Sequence, residues 1–410
     1  MPADQTPFNS PPVTFDKIAE AAERLKGRIE RTPTRHSRTL SAITGVEVWF
    51  KFENLQFTAA YKERGALNKL LQLTDAEKKR GVIAASAGNH SQALAYHGQK
   101  LGVPVTIVMP VGTPFVKVQQ TRDFGADVVL EGETFEDAYN HAIKMRDDRD
   151  LVFVHPFNDP DVIAGQGTIA IEMLEKAPEL EALVVPIGGG GLIAGIATAA
   201  KHLKPGISII GCEPAMYPSF TAKMRATTAA VGGQTIAEGI AVKQVGELSY
   251  AIARPLIDDV LLIEEPFFER AIALLCTIEK TVAEGAGAAS LAALLAHPER
   301  LRGKKTGAII TGGNVDTRLL ASVLTRSLIR DGRIANLRFV GDDRPGLLAN
   351  VSRILGEMGA NIISVEHRRH ALDVPAKGAE FDIEIETRDG QHTAEIVAAL
   401  QAAGYPPKRM

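Results

Sequence analysis

From residue 82 onward, short aliphatic runs alternate with longer segments of helical periodicity. VIAASAG (82–88), VPVTIVMP (103–110), DVVLEG (127–132) and LVFVHPF (151–157) read as buried strands. Between them NHSQALAYHGQKLG (89–102), TPFVKVQQTRDFGA (113–126) and TFEDAYNHAIKMRDDR (134–149) read as helices. The alternation resumes with helix GQGTIAIEMLEK (165–176), strand ALVVPIG (182–188), helix LIAGIATAAKHL (192–203) and strand ISIIGCE (207–213). A long helix near 266–283 and the strand TGAIITGG (306–313) complete it. Strand, helix, strand at this spacing predicts βαβ units on parallel sheets. The expectation is two α/β lobes with a cleft at the carboxyl ends of their strands, where open sheets place ligands.

After Asp331–Arg333 the pattern changes. Residues 336–370 give strand, loop, helix and strand, and residues 378–405 give an alternating strand, a turn at Asp389-Gly390 and a helix. The order βαββα over about 75 residues predicts a separate small α+β domain. The expected division is residues 1–330 and 331–410, with a small lobe of about 57–160 inserted in the larger lobe of the first part.

Composition alters this little. The 410 residues are 45% hydrophobic and 23% charged, with 37 glycines and a net charge of −3. That suits a large core and leaves no basic footprint for nucleic acid or an anionic membrane. Cys212 and Cys276 are isolated and predict neither disulfides nor a cysteine metal site. The proline-rich start MPADQTPFNSPPVTF lacks an apolar signal core, and the uncharged run at 182–200 carries a proline and four glycines that ill suit a membrane span. The expected location is the cytoplasm.

Three strand-end loops and one lysine carry the chemistry. In FTAAYKERG (57–65) Lys62 follows Tyr61 and opens a helix whose Leu67, Leu70, Leu71 and Leu73 share a face. Beside an aromatic ring and away from bulk water, its amine would have the lowered pKa that Schiff-base chemistry requires. LVVPIGGGGLIAG (183–195) delivers a strand to four glycines and a helix N-terminus, a cradle for phosphate. The same residues fit a dinucleotide fingerprint, Gly189-x-Gly191-x-x-Ala194, with Glu213 as the ribose-binding acid. SAGNHSQ (86–92) opens a helix whose N–H groups suit a carboxylate, and TGGNVD (311–316) sets the Thr311 hydroxyl at a strand end. A small cofactor with one phosphate and one aldehyde would use such a set.

ENLQFTAAYKERGA (53–66), SAGNH, the four glycines and TGGN resemble the pyridoxal-phosphate enzymes of the tryptophan-synthase β fold, and within them the threonine and serine dehydratases. The likeness covers roughly residues 15–325. GDDRPGLLANV (341–351) and GANI (359–362) resemble an ACT regulatory domain. The resemblance implies that Lys62 holds the cofactor aldehyde and takes the proton from Cα. Gly188, Gly189, Gly190, Gly191 and Leu192 would bind the phosphate, Asn89 the ring hydroxyl, and Ser86, Gly88 and His90 the substrate carboxylate. Thr311 would face the ring nitrogen, and Tyr61 would flank the site. It implies loss of ammonia from threonine or serine, with racemisation of serine or action on 3-hydroxyaspartate as alternatives; a nicotinamide dehydrogenase is the distant one.

The chain departs from the family at Ala59 and Ala60, where glycine and serine are usual, and at Ala87, where racemases carry a serine. Cation-activated relatives have an aspartate six residues after the glutamate that aligns with Glu213; here that residue is Ser219, so no metal is expected. Likeness to ACT domains implies an amino-acid effector held by Asp343, Gly346 and Asn361 in a groove between subunits of a homodimer or homotetramer.

Overall fold

The computed structural model describes residues 12–342, 345–368 and 378–410. The chain divides into compact units Met1–Val315 and Asp316–Met410. The helix Thr317–Arg330, assigned above to the first part, therefore groups with the second.

Strands are numbered along the chain. β1 (Thr34–His36), β2 (Glu47–Phe52), β3 (Val82–Ala85), β4 (Val105–Met109), β5 (Asp127–Leu130), β6 (Val152–Phe153), β7 (Ala182–Pro186), β8 (Ser208–Pro214), β9 (Asp259–Ile263) and β10 (Lys305–Ile310) belong to the first unit. β11 (Ile334–Asp342), β12 (Asn361–Arg368), β13 (Gly378–Glu386) and β14 (Lys408–Arg409) belong to the second.

The larger sheet runs β1-β2-β10-β7-β8-β9, parallel except for the β1–β2 pair. The smaller sheet, β5-β4-β3-β6, is wholly parallel. Both are flanked by helices, which is why their strands are near-continuous apolar runs such as VIAA and ALVVP, buried at every position. The SAGNH, VHPF, tetraglycine and TGGN loops leave the carboxyl ends of β3, β6, β7 and β10, and so converge on the side of the sheets where parallel folds bind ligands.

The helix Lys62–Leu71 packs on Pro160–Lys176 through facing glycines. A Cβ on Gly165 would stand 2.5 Å from the Arg64 carbonyl oxygen and 2.7 Å from the Gly65 Cα. That close approach buries Arg64 completely. Its Nε and Nη2 donate to Glu53 at 2.7 and 2.8 Å, and Nη1 and Nη2 donate to Glu172 at 2.7 and 2.9 Å. The buried Lys51 also pairs with Glu172 and donates to the Thr32 carbonyl at 2.7 Å. Two cations thus meet two carboxylates beneath the first turn that carries Lys62, a charge-neutral cluster of the kind a core tolerates.

Two sequence expectations need correction. The helix near 266–283 ends early: Glu265–Leu274 gives way to a five-residue π turn, Leu275–Glu279, and stops at Lys280 with φ +56°. After the helix Thr317–Arg330 the second unit reads βαββαβ, because β14 adds beside β11 to complete the sheet β12-β13-β11-β14. Among the described residues no helix is long and apolar enough to cross a membrane. The run at 182–200 becomes β7, the glycine loop and most of the helix Gly191–Leu203.

Candidate active site

Lys62 is the first residue of its helix. The loop before it lies along the end of β10: the Tyr61 N–H donates to the Thr311 carbonyl at 3.0 Å, and the Gly313 N–H donates to the Ala59 carbonyl at 2.8 Å. Ala60 bridges to Gly312. To enter this pairing Ala59 takes φ +56°, a left-handed conformation that costs a residue with a Cβ about 1–2 kcal/mol. The Glu63 carboxylate fastens the loop by accepting the Thr58 N–H, and it is held in turn by His97 Nε2 at 3.0 Å. Half-buried, the Lys62 amine donates to the Pro156 carbonyl at 2.7 Å and lies 5.2 Å from the Tyr61 ring centroid. Burial pulls its pKa down to about 8. A neutral amine is therefore within reach near neutral pH, as an aldehyde-capturing lysine requires.

The tetraglycine loop links β7 to the helix Gly191–Leu203, with Gly190 as N-cap at φ +94° and no side chain capping it. Side chains are excluded here. A Cβ on Gly189 would overlap the Phe157 ring, one on Gly191 would stand 2.7 Å from the Phe157 carbonyl oxygen, and one on Gly188 would crowd Ile240 at 3.1 Å. Bare backbone at a helix N-terminus suits a phosphate. The dinucleotide reading loses its acid: Glu213 is 1% exposed, and its two oxygens accept the N–H groups of Phe220 and Thr221 at 3.0 and 2.9 Å. Ser219 donates its hydroxyl to the Val242 carbonyl at 2.6 Å. Among the described residues no three His, Cys, Asp or Glu side chains cluster to hold a metal ion.

Asn89 begins the helix after β3. Its Nδ2 donates to Glu284 Oε1 at 2.7 Å, and its Oδ1 accepts from Asn314 Nδ2 at 2.8 Å. Glu284 escaped the sequence reading. Burial raises its pKa to about 7. Its small-residue context AEGAGA (283–288) permits close backbone approach but does not mark a buried acid. Thr311 is 3% exposed and donates to the Ala286 carbonyl at 3.1 Å. His90 Nε2 lies 3.0 Å from the Val154 carbonyl, and Nδ1 is buried with no partner among the described residues. Burial and the nearby Lys62 charge pull this histidine down to about 3, so it is neutral. Ser86 Oγ accepts the Gly88 N–H at 3.3 Å. Pro156, Phe157, Asn158 and Ser249 were also missed, being uncharged or structurally ordinary in sequence. These features together fit pyridoxal phosphate: an amine of lowered pKa for the aldehyde and a side-chain-free cradle for the phosphate.

In the second unit, Gly346 opens the helix Leu347–Glu357 at φ +87° beyond the end of β11, while Asn361 begins β12. Asn361 pairs with Glu386, which pairs with Ile334 at the start of β11. Gly346 and Asn361 thus stand at opposite ends of a nine-residue strand, about 30 Å of chain apart. Asp343 lies outside the described residues.

Residues 25–312 match the pyridoxal-phosphate dependent enzyme family and residues 335–404 the ACT domain. The chain belongs to the pyridoxal-phosphate dependent enzymes. More narrowly, it is 43% identical over 395 residues to an L-threonine ammonia-lyase of Thermotoga maritima, covering 96% of this chain and 98% of that one. Its fold matches the processed form of threonine deaminase isoform 2 from Solanum lycopersicum with a TM-score of 0.73 at 33% identity, over 80% of this chain and 94% of that one. It also matches maize serine racemase with a TM-score of 0.71 at 32% identity, over 78% of this chain and 98% of that one.

Proposed function

We propose that the chain is a pyridoxal-phosphate dependent L-threonine ammonia-lyase. It converts threonine to 2-oxobutanoate and ammonia, and serine to pyruvate and ammonia. The observation that carries the reading is the half-buried Lys62 amine, held by the Pro156 carbonyl on the turn whose Phe157 lies against the tetraglycine loop. Pyridoxal phosphate, when bound, supplies the aldehyde that joins the amine and the conjugated ring that takes up the electron pair from Cα. Lys62 Nζ then carries the Cα proton. The backbone of Gly188, Gly189, Gly190, Gly191 and Leu192 would hold the phosphate, Asn89 would orient the ring hydroxyl, and Tyr61 would flank the ring. Ser86, Gly88 and His90 hold the substrate carboxylate. Thr311, whose hydroxyl donates to the Ala286 carbonyl, would face the ring nitrogen with a group too weakly acidic to protonate it, which would favour loss of the β-hydroxyl over transamination.

The racemase alternative lacks a proton donor, since a methyl group at Ala87 cannot supply the second face of Cα. Lys62→Ala tests the assignment: turnover falls by several orders of magnitude and the visible-edge absorbance of the lysine-linked cofactor vanishes. A variant retaining both overturns it. Ammonia release from threonine, serine and 3-hydroxyaspartate ranks the substrates, and rapid appearance of D-serine would favour the racemase.

In function, residues 1–330 are the catalytic segment, with a small lobe of about 57–160, and residues 331–410 the regulatory one, although the helix Thr317–Arg330 groups with the latter in the fold. A cytoplasmic homodimer or homotetramer lets Gly346 and Asp343 of one copy and Asn361 of another enclose a branched-chain amino acid such as isoleucine, whose synthesis uses 2-oxobutanoate. Effector binding alters threonine affinity by a coupling of about 1–3 kcal/mol. A saturation curve that no amino acid shifts would refute the regulation.

A further inference from the structure

The turn after β6, His155–Asn158, touches both halves of the site. Pro156 offers its carbonyl to the Lys62 amine at 2.7 Å. Phe157 lies against the glycine loop so closely that side chains at Gly189 and Gly191 are excluded, and its carbonyl accepts the Ser249 hydroxyl at 2.6 Å. Asn158 Oδ1 accepts the N–H groups of Leu248 and Ser249 at 2.9 and 3.3 Å. Asp159 then caps the helix Pro160–Lys176. One imidazole closes this turn: His155 Nδ1 accepts the N–H of Phe157 at 3.3 Å and of Asn158 at 2.9 Å.

Two N–H donors aimed at one ring nitrogen require a lone pair there, so the ring proton sits on Nε2. The ring is fixed by edge-on packing against Phe157, with centroids 4.6 Å apart, and against Tyr139 and Phe153 at 6.1 Å each. Burial and the neighbouring Lys62 charge pull its pKa down to about 4, which keeps the lone pair available at neutral pH.

We infer that His155 is a positioning residue of the proposed reaction: through Nδ1 it holds the turn that sets the Lys62 amine and the phosphate cradle relative to one another. The inference rests on the functional reading above, yet its test reads cofactor binding and ring tautomer as well as turnover. Asparagine can present its Oδ1 where the histidine presents Nδ1, whereas glutamine reproduces the Nε2–H end and phenylalanine only the bulk.

The experiment compares His155→Asn, His155→Gln and His155→Phe. It measures the dissociation constant of pyridoxal phosphate from the cofactor-free protein by absorbance titration, together with kcat and KM for threonine. His155→Asn is expected to stay within about threefold of the parent, while His155→Gln and His155→Phe bind the cofactor about tenfold more weakly, the loss of roughly one hydrogen bond. A normal His155→Gln beside an impaired His155→Asn would move the role to Nε2 and overturn the inference, as would equal loss in all three. A measurement needing no variant is the nitrogen NMR of histidine in the parent enzyme at pH 7. An Nε2–H tautomer at His155 is expected, and an Nδ1–H tautomer refutes the assignment. If Lys62→Ala behaves as proposed while the His155 series does not separate, only this inference falls.

Discussion

Replacing Arg64 by methionine removes one cation from the buried cluster under the catalytic lysine and leaves Lys51, 3.8 Å away, as the one cation paired with the fully buried Glu53 among the described residues. In the intact cluster the Arg64 charge and its two hydrogen bonds, helped by Lys51 and Thr32, overcome burial and hold the Glu53 carboxyl at about 2, against an ordinary 4.5. That depression corresponds to roughly 3 kcal/mol favouring the ionised form. It agrees with the ~3–5 kcal/mol lost when one partner of a buried pair is deleted. The contribution is fully present above pH 4.5 and is lost as pH falls toward 2, because between those values the unfolded chain binds a proton that the folded Glu53 does not. Arg64→Met should therefore lower the thermal midpoint at pH 7 by roughly 6 °C or more. Adding Glu53→Gln restores neutrality, with Lys51 and Glu172 still paired, and should recover more than half of the loss. Calorimetry of the two variants decides the matter. If the double variant is no more stable than Arg64→Met, uncompensated charge is not the cause and the loss belongs to packing.

Other outcomes follow from the same geometry. Ala59→Gly should stabilise the protein by about 0.5–1 kcal/mol in urea denaturation, because relief of the left-handed strain exceeds the added chain entropy; destabilisation would mean that the Ala59 methyl packs usefully. Capture of pyridoxal phosphate by the cofactor-free protein should speed up as pH rises through about 8, where Lys62 loses its proton, and a midpoint near 10.5 would remove the case for a desolvated amine. Turnover should survive chelators within about twofold, since both Glu213 oxygens already accept backbone N–H groups; a deep loss restored by magnesium would show that a cation displaces them.

The parallel lobes were legible because strands buried on both faces are aliphatic throughout, and because glycine loops at strand ends leave few other readings. Asn89 and Thr311 could be singled out because each lies in a short polar loop after a strand. Glu284 could not, since AEGAGA shows no period that marks a buried acid. Arg64 drew no reading of its own, for its partners Glu53 and Glu172 are 11 and 108 residues away. The helix near 266–283 was overextended because its apolar spacing continues through residues 275–279, where the structure widens into a π turn.

By itself the sequence determined the periods of strand and helix, the glycines that keep side chains out of the cradle, and the lysine that opens its helix. These are local properties, set by sterics and hydrophobic spacing within a dozen residues. Tertiary structure decided what those residues face. It lowered the Lys62 pKa by burial, gave both Glu213 oxygens to backbone N–H groups, and turned the ordinary segment VHPFN into the link between amine and glycine loop. It also set Gly346 and Asn361 at opposite ends of one sheet. Such outcomes depend on desolvation and on contacts between residues far apart in the chain, which no local pattern encodes.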